Sequence, residues 1–462
     1  MCGLAGVFNA RKAAEIVYVM GHTLQHRAVE YAGIATSDGA HLYRHADTGI
    51  VQEVFPQQTL DRLHGRSAVL HLRYSTVADN PDRDNTQPIV LTIAGSEVAI
   101  AHNGNLTNVA ALRAQLRDEH PSTVFKTSTD TEVLLHRIAR ATGTMVERIQ
   151  QAVRGVQGTY ALILLLPDKM IAVRDPSGNR PLVLGQRDGA SYLASETSAL
   201  LQVEVPYVRE VLPGEILVID KSGEQSHWIT ASEEQAPKAF DIFELLYYAL
   251  PSSTMFGISV SQYRQLLGEM LERYHPVLGA DIVVGVPDSA LAIAEGFARS
   301  GRSGVLSRGL LRSHFVGRTF IQPNQALRDI HVKRKFFADP QAVGDKSIAL
   351  IEDSVVRLTT LPPVIRLLRN AGAREIHVRV ATPQVIAPCY YGIDTPTRQE
   401  LGANRMTLEE MRVASDADSL AFLTVPQLRS TLKDPDKFCF ACMTGDYPLH
   451  DPSAPVRSLP VR

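Results

Sequence analysis

Short apolar stretches separated by turn-forming residues run through the first half of the chain, to about residue 229. Aliphatic and β-branched residues fill segments 68–72, 98–101 and 160–164, and Gly, Asn and Asp separate such segments. Runs of this length and spacing predict β-strands. Residues 130–141 differ, because their apolar side chains fall on one face of a helix and predict an amphipathic α-helix. We therefore expect a strand-rich half with helices between the strands.

The second half alternates in another way. Segments 282–286, 347–351 and 376–381 are mostly apolar, and residues 361–371 predict a helix that Gly372 ends. Strands buried on both faces and separated by helices indicate a parallel α/β sheet. Residues 230–240 are polar and aperiodic and predict a linker, and 453–462 predict a frayed tail. The expected domains are 2–229 and 241–452.

Composition narrows the class of protein. A chain of 462 residues with 45% hydrophobic and 21% charged residues predicts a soluble globular protein of two domains. A formal net charge of −2 gives no electrostatic reason to expect a nucleic-acid partner. The longest apolar run, 160–166, is too short to span a membrane, and no secretory signal pattern is seen. Four cysteines do not make a disulfide framework, so we expect a cytoplasmic protein.

Cys2 is the first candidate for chemistry. Loss of Met1 would leave a residue that carries both a thiol and a free α-amino group. Such a residue is a nucleophile with its own base, because the amine titrates at about 7.7–8.0 and the thiol at about 8.5. The alternative is an incidental buried cysteine.

Other residues could complete an amide-hydrolysing site. Residues 101–105 follow a predicted strand, and the Asn103 amide and the Gly104 N–H are candidate donors to an oxyanion. If the substrate is glutamine, Arg73 is a candidate for its α-carboxylate and Asp130 for its α-ammonium. The alternatives are a plain turn at Asn103–Gly104 and a helix N-cap at Asp130.

Together these pieces resemble the N-terminal-nucleophile glutamine amidotransferases. The match covers residues 2–6, 73–76, 102–108 and 130–132. The resemblance implies a four-layer αββα sandwich, with Cys2, Asn103 and Gly104 as catalytic residues. It also implies that Arg73, Thr76 and Asp130 bind glutamine.

A second candidate site lies in residues 348–360. A predicted buried strand delivers Glu352 and Asp353 to a loop whose Ser and Thr residues lead into a helix. Open α/β sheets bind ligands at this edge, and helix N-termini favour phosphate. The acids would hold ribose hydroxyls, while Mg²⁺ would balance the pyrophosphate charge. The alternative is a solvated acidic loop.

This loop resembles that of the phosphoribosyltransferases, and the longer resemblance is to the amidophosphoribosyltransferases. Further matching segments are 174–176, 180–185, 194–197, 212–215, 315–321, 391–394, 396–398 and 444–448. The resemblance implies that glutamine-derived ammonia displaces pyrophosphate from phosphoribosyl pyrophosphate to make 5-phosphoribosylamine, the committed step of purine synthesis. It implies Mg²⁺, a homo-oligomer and feedback by purine nucleotides. The implied phosphoribosyl pyrophosphate ligands are Ser289, Glu352, Asp353, Ser354, Thr359 and Thr360, with Glu352 and Asp353 also at the magnesium.

Four departures from the family pattern all fall in the second half. Leu358 replaces a glycine of the loop, Glu352 replaces an aspartate, 249–253 lacks an Arg and an Asp, and Ala290 replaces a common glycine. Because a side chain at 358 would obstruct the backbone around a phosphate, we expect weakened substrate binding that Leu358→Gly restores. The alternative function is a glutaminase fused to a degenerate, nucleotide-binding transferase domain. An asparagine-synthetase type of amidotransferase does not fit the second site.

The remaining cysteines form a third constellation. Cys439 and Cys442 have Cys-x-x-Cys spacing, and Cys389 follows a predicted strand. Such thiols bind zinc or an iron–sulfur cluster, support redox chemistry, or remain unligated. A subgroup of amidophosphoribosyltransferases carries a four-cysteine 4Fe–4S cluster, and these three cysteines match its ligand positions. The fourth position is Asp241, so the resemblance implies a structural 4Fe–4S cluster with one carboxylate ligand.

Overall fold

The structure, a computed structural model, describes residues 1–74, 83–230, 237–313, 335–393, 395 and 397–449. The predictions that fall on Thr76, on segment 315–321 and on the 453–462 tail lie outside these residues. None of the described helices is both long and apolar enough to cross a membrane.

Two antiparallel sheets form the centre of the first half. The seven-stranded sheet has the order β11-β9-β10-β1-β4-β2-β3. Its strands are β1 (Gly3–Phe8), β2 (Tyr31–Ser37), β3 (Leu42–Thr48), β4 (Ser67–Arg73), β9 (Val183–Arg187), β10 (Ala190–Ala194) and β11 (Tyr207–Glu210). The six-stranded sheet has the order β13-β12-β8-β7-β6-β5. Its strands are β5 (Ile89–Ile93), β6 (Ser96–Leu106), β7 (Gly158–Leu165), β8 (Lys169–Arg174), β12 (Glu215–Asp220) and β13 (Gly223–Trp228).

Helices cover the outer face of each sheet. The helices are α1 (Ala13–Leu24), α2 (Val51–Val54), α3 (Gln57–Leu60), α4 (Val109–Glu119), α5 (Asp130–Arg140), α6 (Met145–Ala152) and α7 (Thr197–Gln202), with a 3₁₀ turn at Arg83–Asn85. One apolar cluster joins α1 and α7 to the seven-stranded sheet, and another joins α5 and α6 to the six-stranded sheet. A third cluster, which includes Leu4, Val69, Ala101 and Ile163, fills the space between the sheets. The predicted αββα sandwich is confirmed.

A parallel five-stranded sheet organises the second half, as predicted. Its order is β18-β17-β21-β22-β23, with β17 (Ile282–Gly285), β18 (Val305–Leu306), β21 (Ser347–Glu352), β22 (Glu375–Val380) and β23 (Ser419–Phe422). Three strand pairs join β14 (Phe240–Asp241) with β24 (Phe438–Cys439), β15 (Thr254–Met255) with β16 (Ile258–Ser259), and β19 (Leu310–Arg312) with β20 (Phe336–Ala338).

The helices among the described residues of this half are α8 (Val260–Tyr274), α9 (Leu291–Ala298), α10 (Pro340–Val343), α11 (Leu361–Asn370), α12 (Gly402–Arg405), α13 (Leu408–Ser415), α14 (Val425–Arg429) and α15 (Ala441–Thr444). A π-helical turn spans Glu244–Tyr248, and 3₁₀ turns span Arg398–Glu400 and Pro435–Lys437. One large apolar core contains residues from Ile242 to Met443 and also includes Met1. The domain boundaries at 229 and 241 stay a prediction.

One local prediction differs from the structure. Strand β6 does not end before Asn103 but continues to Leu106, paired with β7 so that Asn103 faces Ala161 and Gly104 faces Tyr160. The polar sequence of 102–105 hides this strand, because the hydrophobic alternation that marks a strand stops at residue 101. The turn alternative for Asn103–Gly104 is therefore wrong.

Candidate functional site

Cys2 lies immediately before β1, the central strand of the seven-stranded sheet. Gly3 pairs with Leu72 of β4, so the register brings Cys2 beside Arg73 at the end of that strand. Arg73 donates from Nη1 to the Asn85 carbonyl at 3.2 Å, and its guanidinium lies 5.6 Å from the centre of the Tyr31 ring. The proposed nucleophile and the proposed carboxylate-binding arginine therefore lie side by side at the ends of neighbouring strands.

Asn103 and Gly104 present donors from the facing sheet. Among the described residues, Nδ2 of Asn103 is buried and has no hydrogen-bond partner. A buried donor without a partner costs about 1–3 kcal/mol, which is offset when a ligand oxygen accepts from it. Gly104 has φ +147°, and a Cβ there would lie 2.1 Å from the Thr159 carbonyl oxygen, so only glycine fits.

Asp130 is placed by α5 at the same end of β6. Its carboxylate accepts from the Leu106 N–H at 3.0 Å and lies 3.4 Å from Nδ1 of His102. Thr129, not Asp130, is the N-cap residue of α5, so the capping alternative is wrong. Burial alone would lower the pKa of His102, but the Asp130 and Cys2 charges raise it. Burial lowers the pKa of His71 to about 3, so that ring is neutral and Nε2 contacts the His102 carbonyl at 3.0 Å.

Arg27 connects the Cys2 backbone to buried carboxylates of both halves. Its Nε donates to the Cys2 carbonyl at 3.0 Å, and its two terminal nitrogens each lie 2.5 Å from an oxygen of Glu196 or Glu244. All three side chains are fully buried. Burial would lower the pKa of Arg27, but the carboxylates raise it, so the guanidinium stays charged.

Glu196 extends this network to residues 250–253. It accepts from His26 at 2.7 Å, from the Leu250 N–H at 2.9 Å and from the Ser253 hydroxyl at 3.0 Å. Burial would raise the pKa of Glu196, but His26 and Arg27 lower it. Sequence reasoning missed both His102 and the Arg27 network. His102 was signalled by its place beside Asn103, whereas no pattern links residues 27, 196 and 244.

The second site lies at the carboxyl ends of β17 and β21, which pair in parallel. The Ser289 hydroxyl donates to Asp353, and the Ser354 hydroxyl donates to the same carboxylate at 2.5 Å. Burial, followed by the adjacent Asp353 charge, raises the pKa of Glu352 well above its usual value, and burial raises the pKa of Asp353. Two adjacent buried acids that repel each other are typical of a functional site.

The loop after Asp353 leads into α11 as predicted. Thr359 is half-buried, and Thr360 is exposed and stands at the N-cap of α11 without a capping side-chain bond. Leu358 adopts the left-handed conformation, with φ +57°, that glycine would adopt without strain. Its side chain is only 8% exposed and belongs to the apolar core, with its Cβ 3.7 Å from the position of a Cβ added to Gly402. The isobutyl group is thus directed into the protein and does not obstruct the loop, contrary to the expectation from the sequence.

We therefore expect Leu358→Gly to change stability and to leave substrate binding almost unchanged. The leucine conformation costs about 1–2 kcal/mol, whereas burial of the side chain contributes about 1.5–3 kcal/mol. Leu358→Ala keeps the strain and loses the burial, so the alanine variant should unfold at lower urea concentration than the glycine variant. At positions with negative φ, an alanine variant is usually more stable than a glycine variant, so the expected order at Leu358 is reversed. Phosphoribosyl pyrophosphate binding measured by calorimetry should stay within about threefold, and a tenfold gain for Leu358→Gly would contradict this account.

The three remaining cysteines and Asp241 line one small cavity, together with Arg180 and Tyr391. Burial raises the pKa of all three thiols, that of Cys439 to about 12. Asp241 is held by Arg180 at 2.9 Å and accepts from the Phe243 N–H at 3.0 Å. Across the described ranges, no group of three or more His, Cys, Asp or Glu side chains is arranged to hold a metal ion. The thiols fit a soft metal centre chemically, whereas Asp241 is paired with Arg180 and would have to leave that ion pair to become a ligand.

Glu352 and Asp353 fit magnesium in a different way. Mg²⁺ commonly takes one or two protein carboxylates and completes its shell with water and substrate phosphates. A two-carboxylate site therefore needs no third acidic side chain, and the oxygens of this pair are suitable donors. Glu352 and Asp353 would hold the ion, which would supply charge neutralisation for a pyrophosphate group.

Comparisons with known proteins agree with this pair of sites. Residues 71–202 match the model of a glutamine amidotransferase domain. The chain is 44% identical to amidophosphoribosyltransferase 1, chloroplastic, of Arabidopsis thaliana over 99% of its own length and 80% of that protein. It superposes with a TM-score of 0.90 on a structure described as the allosteric regulatory enzyme of purine biosynthesis, at 38% identity, covering 97% of this chain and 96% of that one.

A second solved structure is similar over the same extent. Glutamine phosphoribosylpyrophosphate amidotransferase from Bacillus subtilis, complexed with ADP and GMP, gives a TM-score of 0.89 at 38% identity, covering 97% of this chain and 98% of that one. The similarity includes both halves and therefore both candidate sites. The chain belongs to the amidophosphoribosyltransferase family, whose glutamine-dependent reaction is the first step of purine biosynthesis.

Proposed function

We propose that Cys2, freed of Met1, is the nucleophile of glutamine hydrolysis, with Asn103 Nδ2 and the Gly104 N–H as oxyanion donors. The proposal rests on Asn103 Nδ2, which is buried and has no hydrogen-bond partner among the described residues. Asn103 lies on β6, in the sheet that packs against the sheet containing β1. Arg73 would bind the α-carboxylate of glutamine, and Asp130 its α-ammonium. Thr76 stays a proposed glutamine ligand from the resemblance alone.

The hydrolytic half-reaction follows from these roles. The α-amine of Cys2 takes the thiol proton as sulfur adds to the carboxamide carbon. The oxyanion accepts from Asn103 and Gly104, each such donor contributing about 2.7–4 kcal/mol to transition-state stabilisation. Collapse returns the proton to the leaving nitrogen and releases ammonia, leaving a thioester. Water, deprotonated by the same amine, then releases glutamate and restores the thiol.

The second half of the chain would use that ammonia. Ser354, Thr359 and Thr360 would contact the phosphates of phosphoribosyl pyrophosphate, and Glu352 and Asp353 would hold ribose hydroxyls and Mg²⁺. Ser289 would keep Asp353 oriented. Ammonia then attacks C1 of the sugar, the bond to pyrophosphate breaks, and 5-phosphoribosylamine forms after loss of one proton. The degenerate-transferase alternative is not favoured, because the departures at Leu358 and Glu352 leave the loop and its acids in place.

Labelling with a glutamine analogue that carries an electrophilic ketone in place of the amide tests the glutaminase site. We expect one equivalent on the Cys2 peptide and a much slower reaction in Asp130→Asn, which loses the charge facing the ammonium. Labelling of Cys389, Cys439 or Cys442 instead of Cys2 would refute the assignment. Intact mass should show that the reactive molecules lack Met1.

We further propose that Cys389, Cys439 and Cys442 are ligands of a 4Fe–4S cluster, with Asp241 as the fourth ligand once its ion pair with Arg180 opens. The convergence of the three thiols on one cavity supports this, and the Arg180 ion pair argues against the fourth ligand. Burial raises the pKa of all three thiols, and a bound cation would favour their thiolate forms.

Metal analysis separates the outcomes for these thiols. Protein purified without oxygen should contain iron and acid-labile sulfide in similar amounts, and Cys439→Ala should lose both. Asp241→Ala should lose them as well if the carboxylate is a ligand, and should retain them if three thiols suffice. Colourless protein with stoichiometric zinc, or with no metal, would refute the cluster.

Regulation, assembly and location are proposed from the family alone. The Bacillus subtilis relative was solved with ADP and GMP, and we propose purine nucleotides as feedback inhibitors of this chain. A homo-oligomer and a cytoplasmic location are proposed in the same way, although the Arabidopsis relative is chloroplastic by name.

A further inference from the structure

The second half of the chain contacts β6, the strand that carries the proposed oxyanion donors and is here called the oxyanion strand. Tyr390, Tyr391 and Gly392, here called the 390–392 segment, run beside the end of β6. Asn105 donates from Nδ2 to the Tyr390 carbonyl at 2.9 Å. The Thr159 hydroxyl, on the neighbouring strand β7, donates to the Tyr391 carbonyl at 2.8 Å. These bonds join the segment to Asn105, which follows Gly104, and to Thr159, which pairs with Asn105 across the sheet.

Arg180 holds the centre of the same segment. Its Nε and Nη2 donate to the Tyr391 carbonyl at 3.0 and 2.7 Å, and Arg180 itself is fully buried. The Tyr391 N–H lies 3.3 Å from Sγ of Cys389, and the Tyr447 hydroxyl donates to the Pro388 carbonyl at 2.6 Å. Fixed on both sides in this way, the segment has little freedom to move away from β6.

Gly392 packs directly against the backbone of Gly104. A Cβ added to Gly392 would lie 3.2 Å from the carbonyl carbon of Gly104 and 3.4 Å from its Cα and oxygen. The Gly104 backbone also lies close to β7, because a Cβ added to Gly104 would lie 2.1 Å from the Thr159 carbonyl oxygen. Both Thr159 and Gly392 therefore pack closely against Gly104.

We infer that the 390–392 segment is a positioning element of the glutaminase site and that Gly392 is its key residue. The inference rests on the proposed role of Gly104 as an oxyanion donor. Oxyanion donors must lie within about 2.7–3.1 Å of the developing charge, so a shift of a few tenths of an ångström weakens catalysis more than substrate binding. The glutaminase activity of the first half therefore depends on the seating of the second half.

Kinetics of Gly392→Ala test this inference. We expect kcat for glutamine hydrolysis to fall about 10- to 100-fold, with KM for glutamine within about threefold. Ammonia-supported phosphoribosylamine formation should stay near wild type, because the pyrophosphate site is untouched. Gly279→Ala is the matched control, since Gly279 also has positive φ, +85°, but an added Cβ there meets nothing within 4 Å. That control should keep the wild-type kcat.

A second variant covers the case in which Gly392→Ala does not fold. Asn105→Ala removes only the bond to the Tyr390 carbonyl and should give the same split, a lower kcat with an unchanged KM. A merely structural role would instead lower glutamine- and ammonia-supported activities together. Suppose that the wild type hydrolyses glutamine and that Cys2→Ala abolishes this activity. A wild-type kcat in the folded Gly392→Ala and Asn105→Ala variants would then overturn this inference and leave the proposed glutaminase site standing. A wild type that does not hydrolyse glutamine overturns the proposed glutaminase site and the inference with it.

Discussion

Replacing Cys2 by alanine is expected to lower glutamine hydrolysis by at least about 10³-fold, because removal of a nucleophile removes the covalent pathway itself. The same variant should keep its ammonia-supported formation of phosphoribosylamine, since the pyrophosphate site uses residues from the other half. The measurement is glutamate release and, in parallel, pyrophosphate release with ammonium chloride as the nitrogen source.

The ammonia-supported rate serves as the internal control for folding in this experiment. Cys2→Ser is a second comparison, because it keeps the α-amine and the shape of the site but replaces the thiol by a poorer nucleophile. Persistent glutamine hydrolysis in Cys2→Ala would contradict the assignment of the nucleophile. Loss of both activities would mean that Cys2 matters for folding or docking as well.

The second large effect is expected at Arg27. Arg27→Met leaves Glu196 and Glu244 buried without their shared cation, and breaking a buried ion pair in this way costs about 3–5 kcal/mol. The matched control is Arg299→Met, which breaks the half-exposed pair with Glu269 and should cost at most about 1 kcal/mol. The measurement is the midpoint of thermal unfolding at pH 8. Equal midpoints for the two variants would contradict the account of this network.

The stability lost in Arg27→Met should depend on pH in a definite direction. In the wild type, the pKa of Glu196 is lowered in the folded state, so it contributes stability above its unfolded pKa and loses it as pH falls. Burial already raises the pKa of Glu244 in the wild type, and loss of Arg27 should raise it further, whereas His26 still lowers the pKa of Glu196. The cost of an unpaired buried Glu244 disappears as that carboxylate becomes protonated. The difference in thermal unfolding midpoint between wild type and Arg27→Met should therefore become smaller from pH 8 to pH 5. A difference that becomes larger as pH falls would contradict this explanation of the pH dependence.

Short motifs predicted which residues carry the chemistry, and these assignments stay predictions. Cys2 and Arg73 lie beside each other on neighbouring strands of one sheet, and Asn103 lies on β6 of the facing sheet. The parallel sheet follows from hydrophobic periodicity, whereas the four-layer sandwich was implied by the family resemblance. Thr76, by contrast, remains known only from its motif.

Features that depend on tertiary approach could not be predicted in this way. Residues 27, 196 and 244 are far apart along the chain, and only the tertiary fold brings Arg27, which follows α1, to both Glu196 and Glu244. The burial of the Leu358 side chain could not be predicted, because a residue letter does not specify which way a side chain leaves a left-handed backbone position. The effect of Leu358 on substrate binding stays a prediction. The contact between Gly392 and Gly104 was hidden for the same reason, since two glycines leave no trace of close packing in a sequence.

The central claim is that one chain couples glutamine hydrolysis to transfer on phosphoribosyl pyrophosphate. Its most direct test is the simultaneous measurement of glutamate and pyrophosphate released by the purified protein with glutamine, phosphoribosyl pyrophosphate and Mg²⁺. We predict a ratio of about one to one, with both products lost when Cys2 is replaced and only pyrophosphate release restored by ammonia. Steady release of glutamate from glutamine, with no pyrophosphate released when either glutamine or ammonia is supplied, would contradict the claim. Only the glutaminase half would then be active.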